Sequence, residues 1–328
     1  MVTLLQSINK FIDNITPSDL QDNVVQSAYD NLEGHLNNDD CPLHIKEVFL
    51  NGSYIRGTMI RPINDIDVFA VIDDTDYYVN GSEPNPQTVL NNFKKYLNGL
   101  DDYEDKCRQD RPCITIDLSK LHIDVMPALR HAGALKIPNG ELNGWMFTDP
   151  KSHNERFSDV DRRRDYKVKD VVKAVKYWKR EYDVPVLSFQ TEQVACYVFD
   201  LLDFSNAEEG IRLWFDNAEG YLGMLMTGSY NDFIKARDAV RKMKARLNDA
   251  KESKDQGDSA AAIRIWKELF GRDFPVIDVN EARSFGAAIK DGSLKWTAAA
   301  GLSTTVGKAL AASGGFYGDN AETEASGE

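Results

Sequence analysis

Asp65 and Asp67 stand at the head of an apolar run, Asp65-Ile66-Asp67-Val68-Phe69-Ala70-Val71-Ile72. Upstream, a shorter run, Val48-Phe49-Leu50, ends in Asn51-Gly52-Ser53. Residues two apart in a strand face the same way, so the two carboxylates project together. Carboxylates so close repel each other unless a proton or a cation lies between them. Acids on an edge strand facing water would account for an isolated pair. The flanking Ile66, Val68, Phe69, Val71 and Ile72 instead predict a strand that is largely buried. Further on, Leu121-His122-Ile123-Asp124-Val125-Met126-Pro127 places Asp124 in the same kind of setting. Asp117 competes for the third position; Asp124 is preferred because its strand-embedded acid repeats the setting of Asp67. Three converging carboxylates offer hard oxygen ligands that suit Mg²⁺, and a pair of such ions can clamp the attacking and leaving oxygens of a phosphoryl transfer. Gly52 permits close backbone approach, and the Ser53 hydroxyl with free N–H groups at a helix start can hold phosphate. A Gly-Ser pair alone is usually a turn; followed by two strand-borne acids and then a third, it is a specific constellation.

The surrounding text supplies elements to carry these groups. Thr16-Pro17-Ser18-Asp19 predicts a helix start with Thr16 as N-cap, and Val24, Val25, Ala28, Tyr29 and Leu32 recur at helical spacing. Strands are expected at Glu47–Leu50 and Ile66–Ile72, a polar loop over Asp73–Pro86, and a helix over Val89–Leu97. Cys113–Leu118 and Leu121–Met126 predict an antiparallel hairpin through Ser119-Lys120. Leu135–Pro138 and Asn143–Phe147 read as an extended excursion. From Lys167 the pattern becomes helical. Val168, Val171, Val172, Val175, Trp178 and Tyr182 mark one amphipathic helix, and others are expected over 189–203, 229–250 and 257–270. The end is rich in Ala, Gly, Ser and Thr and then acidic, which predicts a flexible tail over 297–328. The fold class expected is α+β: a lobe with a mixed sheet over 1–160, a helical lobe over 161–296, and a central cleft between them. An N-terminal helix is expected to brace both lobes.

Composition narrows the functional classes. The chain of 328 residues is 42% hydrophobic and 28% charged, with a net charge of −13, which describes a soluble globular protein. Nucleic-acid duplexes are bound chiefly through Lys and Arg, so a large nucleic-acid surface is not expected. No apolar stretch suits a bilayer span, and the N-terminal residues lack a cleavage-site pattern. Cys41, Cys107, Cys113 and Cys196 are scattered, without a zinc spacing, so a reducing cytoplasm is the default setting.

Taken together, Gly52-Ser53-Tyr54-Ile55-Arg56-Gly57-Thr58, Asp65–Ile72 and Leu121–Pro127 resemble the polymerase-β-type nucleotidyltransferase core. Within that superfamily the chain resembles the CD-NTases, bacterial enzymes similar to cyclic GMP-AMP synthase and oligoadenylate synthase. The likeness continues through Val171–Glu181, similar to the family's spine helix, Val186–Ala195, similar to the next helix start, and Ala262–Pro275, similar to the terminal helix. It implies template-independent synthesis of cyclic or linear oligonucleotide second messengers, with pyrophosphate release and a role in antiphage signalling. It implies that Asp65 and Asp67 hold two Mg²⁺ ions, with Mn²⁺ as a substitute. Asp124 would join the first metal and take the proton of the attacking hydroxyl. Gly52 and Ser53 would contact the β- and γ-phosphates, Lys176 would neutralise the triphosphate, Ser188 would hydrogen-bond it, and Phe189 would stack on a base. The implied partners are ATP, GTP or pyrimidine triphosphates and regulatory proteins. The zinc module and basic surface of the DNA-sensing metazoan relatives are missing from this sequence.

Several positions read two ways. Lys176 is either the triphosphate contact or one more solvated lysine on its helix. Ser188 is either a phosphate ligand or only an N-cap, and Phe189 either a stacking ring or a core ring. Arg56 and Arg61 reach phosphate or pack their loop. Arg162, Arg163 and Arg164 could line the cleft rim. His122 is expected on the strand face opposite Asp124, as a structural or exposed residue; Trp178 and Trp266 are expected in the core. Two other functions compete: transfer to an RNA 3′ end or a protein, and a non-enzymatic nucleotide sensor or scaffold.

Overall fold

The computed structural model describes residues 3–72, 82–131, 133–226 and 228–275, with the strand residues 294–297 and 301–304. Two helices open the chain, α1 (Leu4–Ile15) and α2 (Asp19–Leu36). The cap of α2 is Ser18, whose N–H donates to Gln21 Oε1 at 3.0 Å. Thr16, the expected cap, instead closes α1, its hydroxyl donating to the Ile12 carbonyl at 2.8 Å. Thr-Pro-Ser carries two cap-forming residues, and the second wins because Gln21 completes a reciprocal capping box only from Ser18.

Strand β1 (Ile45–Asn51) runs into a four-residue helix, α3 (Gly52–Ile55), and then β2 (Asp65–Ile72). Helix α4 (Pro86–Asn98) is capped by the Asn85 side chain and has Pro86 in its first turn. Strands β3 (Cys107–Asp110), β4 (Cys113–Asp117), β5 (His122–His131), β6 (Ala134–Pro138) and β7 (Trp145–Thr148) complete a mixed sheet. Its path is β1-β2-β5-β4-β3, with β6 on the far end of β5 and β7 on β6. All of these pairs are antiparallel except β2 with β5, which is parallel. Helices follow: α5 (Pro150–Arg163), α6 (Val168–Glu181), α7 (Ser188–Leu201), α8 (Ala207–Leu225), α9 (Tyr230–Asp255) and α10 (Ser259–Phe270). A strand pair, β8 (Leu294–Thr297) with β9 (Gly301–Thr304), comes last. The rest of the expected tail, and residues 73–81 of the expected polar loop, lie outside the described residues.

Period-two alternation divides the sheet residues between two faces. Ile66, Val68, Ala70 and Ile72 of β2 and Ile123, Val125 and Leu129 of β5 pack with Val25 and Leu32 of α2 and Val89 and Phe93 of α4. The opposite face carries Phe69, Val71, Ala128 and Leu135, a smaller apolar cluster. A separate and larger core joins α1 to the later helices, through Phe11, Val171, Trp178, Trp214, Phe215, Met243, Trp266 and Phe270. Trp178 and Trp266 are therefore core residues, as expected. The N-terminal segment spans both cores, α1 in the helical one and α2 against the sheet.

Phe11 anchors this arrangement. It is fully buried, with ring centroids 5.1 Å from Tyr177, 5.0 Å from Phe270 and 5.5 Å from Phe274. Phe11→Ala is expected to lower unfolding free energy by about 3–5 kcal/mol, as emptying a packed aromatic site does, measured by urea denaturation. A loss below about 1 kcal/mol would mean that α1 docks without depending on that ring.

Candidate active site

The same alternation that buries Val68 and Ala70 under α2 and α4 turns Asp65 and Asp67 to the other face. On β5 it puts Asp124 there too. Register then decides proximity: in the parallel β2–β5 pair, Asp67 lies opposite Asp124 and Asp65 opposite His122. His122 and Asp124 are two residues apart, so His122 shares the acid face rather than pointing away from it. The expectation of opposite faces fails on the strand period itself. The ring lies beside Asp117, His122 Nδ1 being 2.7 Å from Asp117 Oδ1, and its charge favours the ionised form of Asp65. Asp117, the competitor for the third acid, sits opposite His122 at the end of β4 and is also bonded by Arg108 Nε at 3.0 Å. Asp124 is thus the acid beside Asp67, and the buried Thr115 of β4 donates its hydroxyl to Asp124 Oδ1 at 2.5 Å.

Gly52 shows how closely the turn approaches. Its φ is +72°, and a Cβ placed on it would lie 1.8 Å from Asp67 Oδ2 and 2.8 Å from Asp67 Cγ. Only glycine fits this contact and this backbone region. Asn51 faces Asp67 in the β1–β2 ladder, so the strand pairing itself holds the turn against the acid. Ser53 follows in α3, its carbonyl accepting from Thr58 N–H at 2.9 Å.

The acids are electrostatically unsatisfied. Burial and the neighbouring Asp65 and Asp124 push Asp67 up to about 6, against an opposing pull from Arg56. Burial and Asp124 also raise Asp65, opposed by His122 and Lys176. Neither Asp65 nor Asp67 has an ion-pair partner among the described residues. Like-charged carboxylates without partners are a donor set that a divalent cation completes. Among the described residues, no three acids, histidines or cysteines already enclose an ion position; the carboxylates line a face rather than form a cage.

The helical half contributes a second cluster, which sequence reasoning found only in part. Lys176 of α6 is 4% exposed; its ammonium donates to Glu192 Oε1 at 2.6 Å and to Thr58 Oγ1 at 2.9 Å. It is therefore not a solvated surface lysine. Arg56 Nε donates to Glu192 Oε2 at 2.8 Å and Arg56 Nη1 to Asn154 Oδ1 at 2.6 Å, which places Arg56 between the sheet and helices α5 and α7. Glu192, fully buried on α7, was not anticipated; a lone Glu in Ser188-Phe189-Gln190-Thr191-Glu192 gives no sign that its partners lie on distant segments. Burial pushes its carboxyl up, but a hydrogen bond from His153 and the charges of Lys176 and Arg56 outweigh that and hold it well below the usual range.

Ser188 is exposed and is the first residue of α7, where Leu187 is the cap position. Phe189 is 46% exposed, not a core ring, and its centroid is 4.4 Å from that of His153. Arg61 lends its carbonyl to Arg180 Nη1 at 2.7 Å, and its own N–H donates to the Ile15 carbonyl at 2.7 Å. Arg162 and Arg163 pair with Asp159, Arg163 also with Asp200, and Arg164 with Asp203, so this basic run is neutralised by local acids.

The raised Asp67 gives a stability prediction. Its folded pKa lies above the ordinary carboxyl value of 3.8, so the carboxylate destabilises the fold at neutral pH. That penalty fades as pH falls through about 6 and the folded state takes up a proton. Without divalent cations, Asp67→Asn is expected to be more stable than wild type at about pH 7.5, by on the order of 2 kcal/mol, with the gap narrowing below about pH 6 and closing near the ordinary carboxyl value of 3.8. A wild-type protein more stable than the variant throughout would show that Asp67 is satisfied within the chain.

Sequence and fold comparisons relate the chain to known proteins. A family profile described as "Second Messenger Oligonucleotide or Dinucleotide Synthetase domain" matches residues 2–161. A protein of Acinetobacter sp. named cyclic AMP-AMP-AMP synthase is 29% identical over 305 residues, covering 84% of this chain and 86% of the relative. The solved structure of Escherichia coli CdnC with ATP has a TM-score of 0.68 at 18% identity, covering 84% of this chain and 99% of that one. The same E. coli protein in a complex with HORMA-deltaN gives 0.66 at 18% identity, over 83% and 98%. These two structures share the polymerase-β-like fold with the present one. Residues 2–161 thus match a second-messenger synthetase domain, and the chain as a whole is similar to CD-NTases, a family of nucleotidyltransferases.

Proposed function

We propose that this chain joins nucleoside triphosphates into cyclic or linear oligonucleotide second messengers, without a template. The observation that carries the reading is the face shared by Asp65, Asp67 and Asp124, with Gly52 pressed against Asp67. The relative named for a cyclic AMP trimer and the E. coli CdnC structure containing ATP favour ATP among the substrates.

In this reading a 2′- or 3′-hydroxyl of one nucleotide attacks the α-phosphorus of another. The new P–O bond forms as the bond to the β-phosphate bridging oxygen breaks, and pyrophosphate leaves. Asp124 accepts the hydroxyl proton; its bond from Thr115 fixes the orientation of the carboxylate. Asp65 and Asp67 would hold two Mg²⁺ ions, or Mn²⁺, which when bound supply charge neutralisation at the attacking and leaving oxygens. Gly52 and Ser53 receive the β- and γ-phosphates, since a side chain at position 52 would occupy that space. Lys176 offsets triphosphate charge from α6, Ser188 hydrogen-bonds it from the exposed start of α7, and Phe189 offers a ring for a base. Residues 1–160 would then act as the catalytic lobe and 161–296 as the nucleotide-binding lobe, working in the cytoplasm in antiphage signalling. The E. coli CdnC complex with HORMA-deltaN supports control by a protein partner. Among the described residues no helix is long and apolar enough to cross a membrane.

Incubation with all four ribonucleoside triphosphates and Mg²⁺, followed by mass spectrometry, is expected to show phosphatase-resistant oligonucleotides. Asp67→Ala should reduce that product by at least about a hundredfold while leaving the circular-dichroism spectrum unchanged. Label retained on added RNA or on protein, with no small product, would overturn this function. Undiminished synthesis by Asp67→Ala would overturn the assignment of the acids.

A further inference from the structure

The buried charges between the sheet and the helices exceed what the reaction scheme uses. Glu192 Oε1 accepts from Lys176 Nζ at 2.6 Å and from Thr58 Oγ1 at 2.5 Å; Glu192 Oε2 accepts from Arg56 Nε at 2.8 Å and lies 3.5 Å from His153 Nε2. Arg56 and Thr58 come from the loop that follows Gly52-Ser53, His153 from α5, and Lys176 from α6. One carboxylate thus gathers the phosphate-turn loop and two helices onto a third. The side chains of Glu192, Lys176 and Arg56 are 0%, 4% and 7% exposed. Charges so deeply placed persist only when partners supply opposite charge and hydrogen bonds together.

The donor count is informative. An ammonium has three N–H groups. Thr58 and Glu192 take two of those on Lys176, leaving one. Arg56 gives Nε to Glu192 and Nη1 to Asn154, and keeps further donors on its fork. Both cations are felt on the acid face, Lys176 by Asp65 and Arg56 by Asp67. With two cations against one carboxylate, the Arg56–Glu192–Lys176 group carries net positive charge beside acids that would receive a metal-bound polyanion.

We propose that Glu192 is a positioning residue for triphosphate recognition: its carboxylate holds Lys176 charged and oriented, with one N–H left for phosphate, and ties the Gly52-Ser53 loop to the helical half. The inference rests on the reading of Lys176 as a triphosphate contact. A salt bridge that served only to join two cores would support folding without acting through Lys176, and that difference can be measured.

The test is a double-mutant cycle between Glu192→Gln and Lys176→Met, read as the dissociation constant of a non-hydrolysable ATP analogue by calorimetry and as KM and kcat for synthesis. Glu192→Gln is expected to weaken analogue binding and raise KM at least about tenfold in the wild-type background, but by no more than about twofold once Lys176 is Met. Thr58→Val removes the neutral bridge between the two ions with little change of volume. It is expected to give a smaller loss that likewise disappears in the Lys176→Met background, and it serves if Glu192→Gln does not fold. Losses that multiply in the double variants would overturn the inference and leave the reading of the site standing. So would a Glu192→Gln protein with a lowered melting temperature and unchanged binding. Analogue binding unaffected by Lys176→Met in wild type would overturn both.

Discussion

Everything near the site follows from placing three carboxylates on one face of a sheet whose other face is core. Asp67 pays the electrostatic penalty most heavily: it is beside Asp65 and Asp124, partly buried, and has Gly52 against its Oδ2. Such an arrangement persists because the strand that carries it is fixed from elsewhere. Ile66, Val68, Ala70 and Ile72 are fully buried under α2 and α4, and β2 pairs on both edges. The core thus supplies the stability that the acids withdraw, and the withdrawn stability is what a cation and a triphosphate would return.

The opposite sign of charge is handled differently. Lys176 and Arg56 are not left unsatisfied but share Glu192, so the cationic side of the site is assembled before any ligand arrives. The same contacts cross from the sheet to the helices, linking the loop after Gly52-Ser53 to α5, α6 and α7. Electrostatic preorganisation of this kind lowers the reorganisation needed when a polyanion binds. The acid face lacks its counter-charge while the basic cluster is held in place with donors to spare, an asymmetry that fits a metal-bound nucleotide as the missing component.

Much of this was legible in the residues. Asp65 and Asp67 were readable because period-two arithmetic needs only the local sequence, and Asp124 because its setting repeats that of Asp67. The same arithmetic, applied to His122, places it with Asp124 rather than opposite. The parallel register that sets Asp67 beside Asp124 is long-range and had no local signal. Glu192 shows the limit most clearly: its partners Arg56 and Thr58 are 136 and 134 residues away in the chain. On its own helix Glu192 resembles any solvent-facing acid. Helix α8 was also not anticipated, although Ile211, Trp214, Phe215, Ala218 and Leu222 follow helical spacing. Gly210, Gly220 and Gly223 dilute that pattern, and Gly210 is there for packing, since a Cβ would lie 2.6 Å from Val171 Cγ2.

The central claim is that the acid face is a cation site completed by a nucleotide. Mn²⁺ titration followed by electron paramagnetic resonance, with and without a non-hydrolysable ATP analogue, tests it most directly. The account predicts that bound Mn²⁺ increases when the analogue is added to wild type and that Asp67→Asn abolishes the increase. Equal Mn²⁺ uptake by wild type and Asp67→Asn in the presence of the analogue would contradict it.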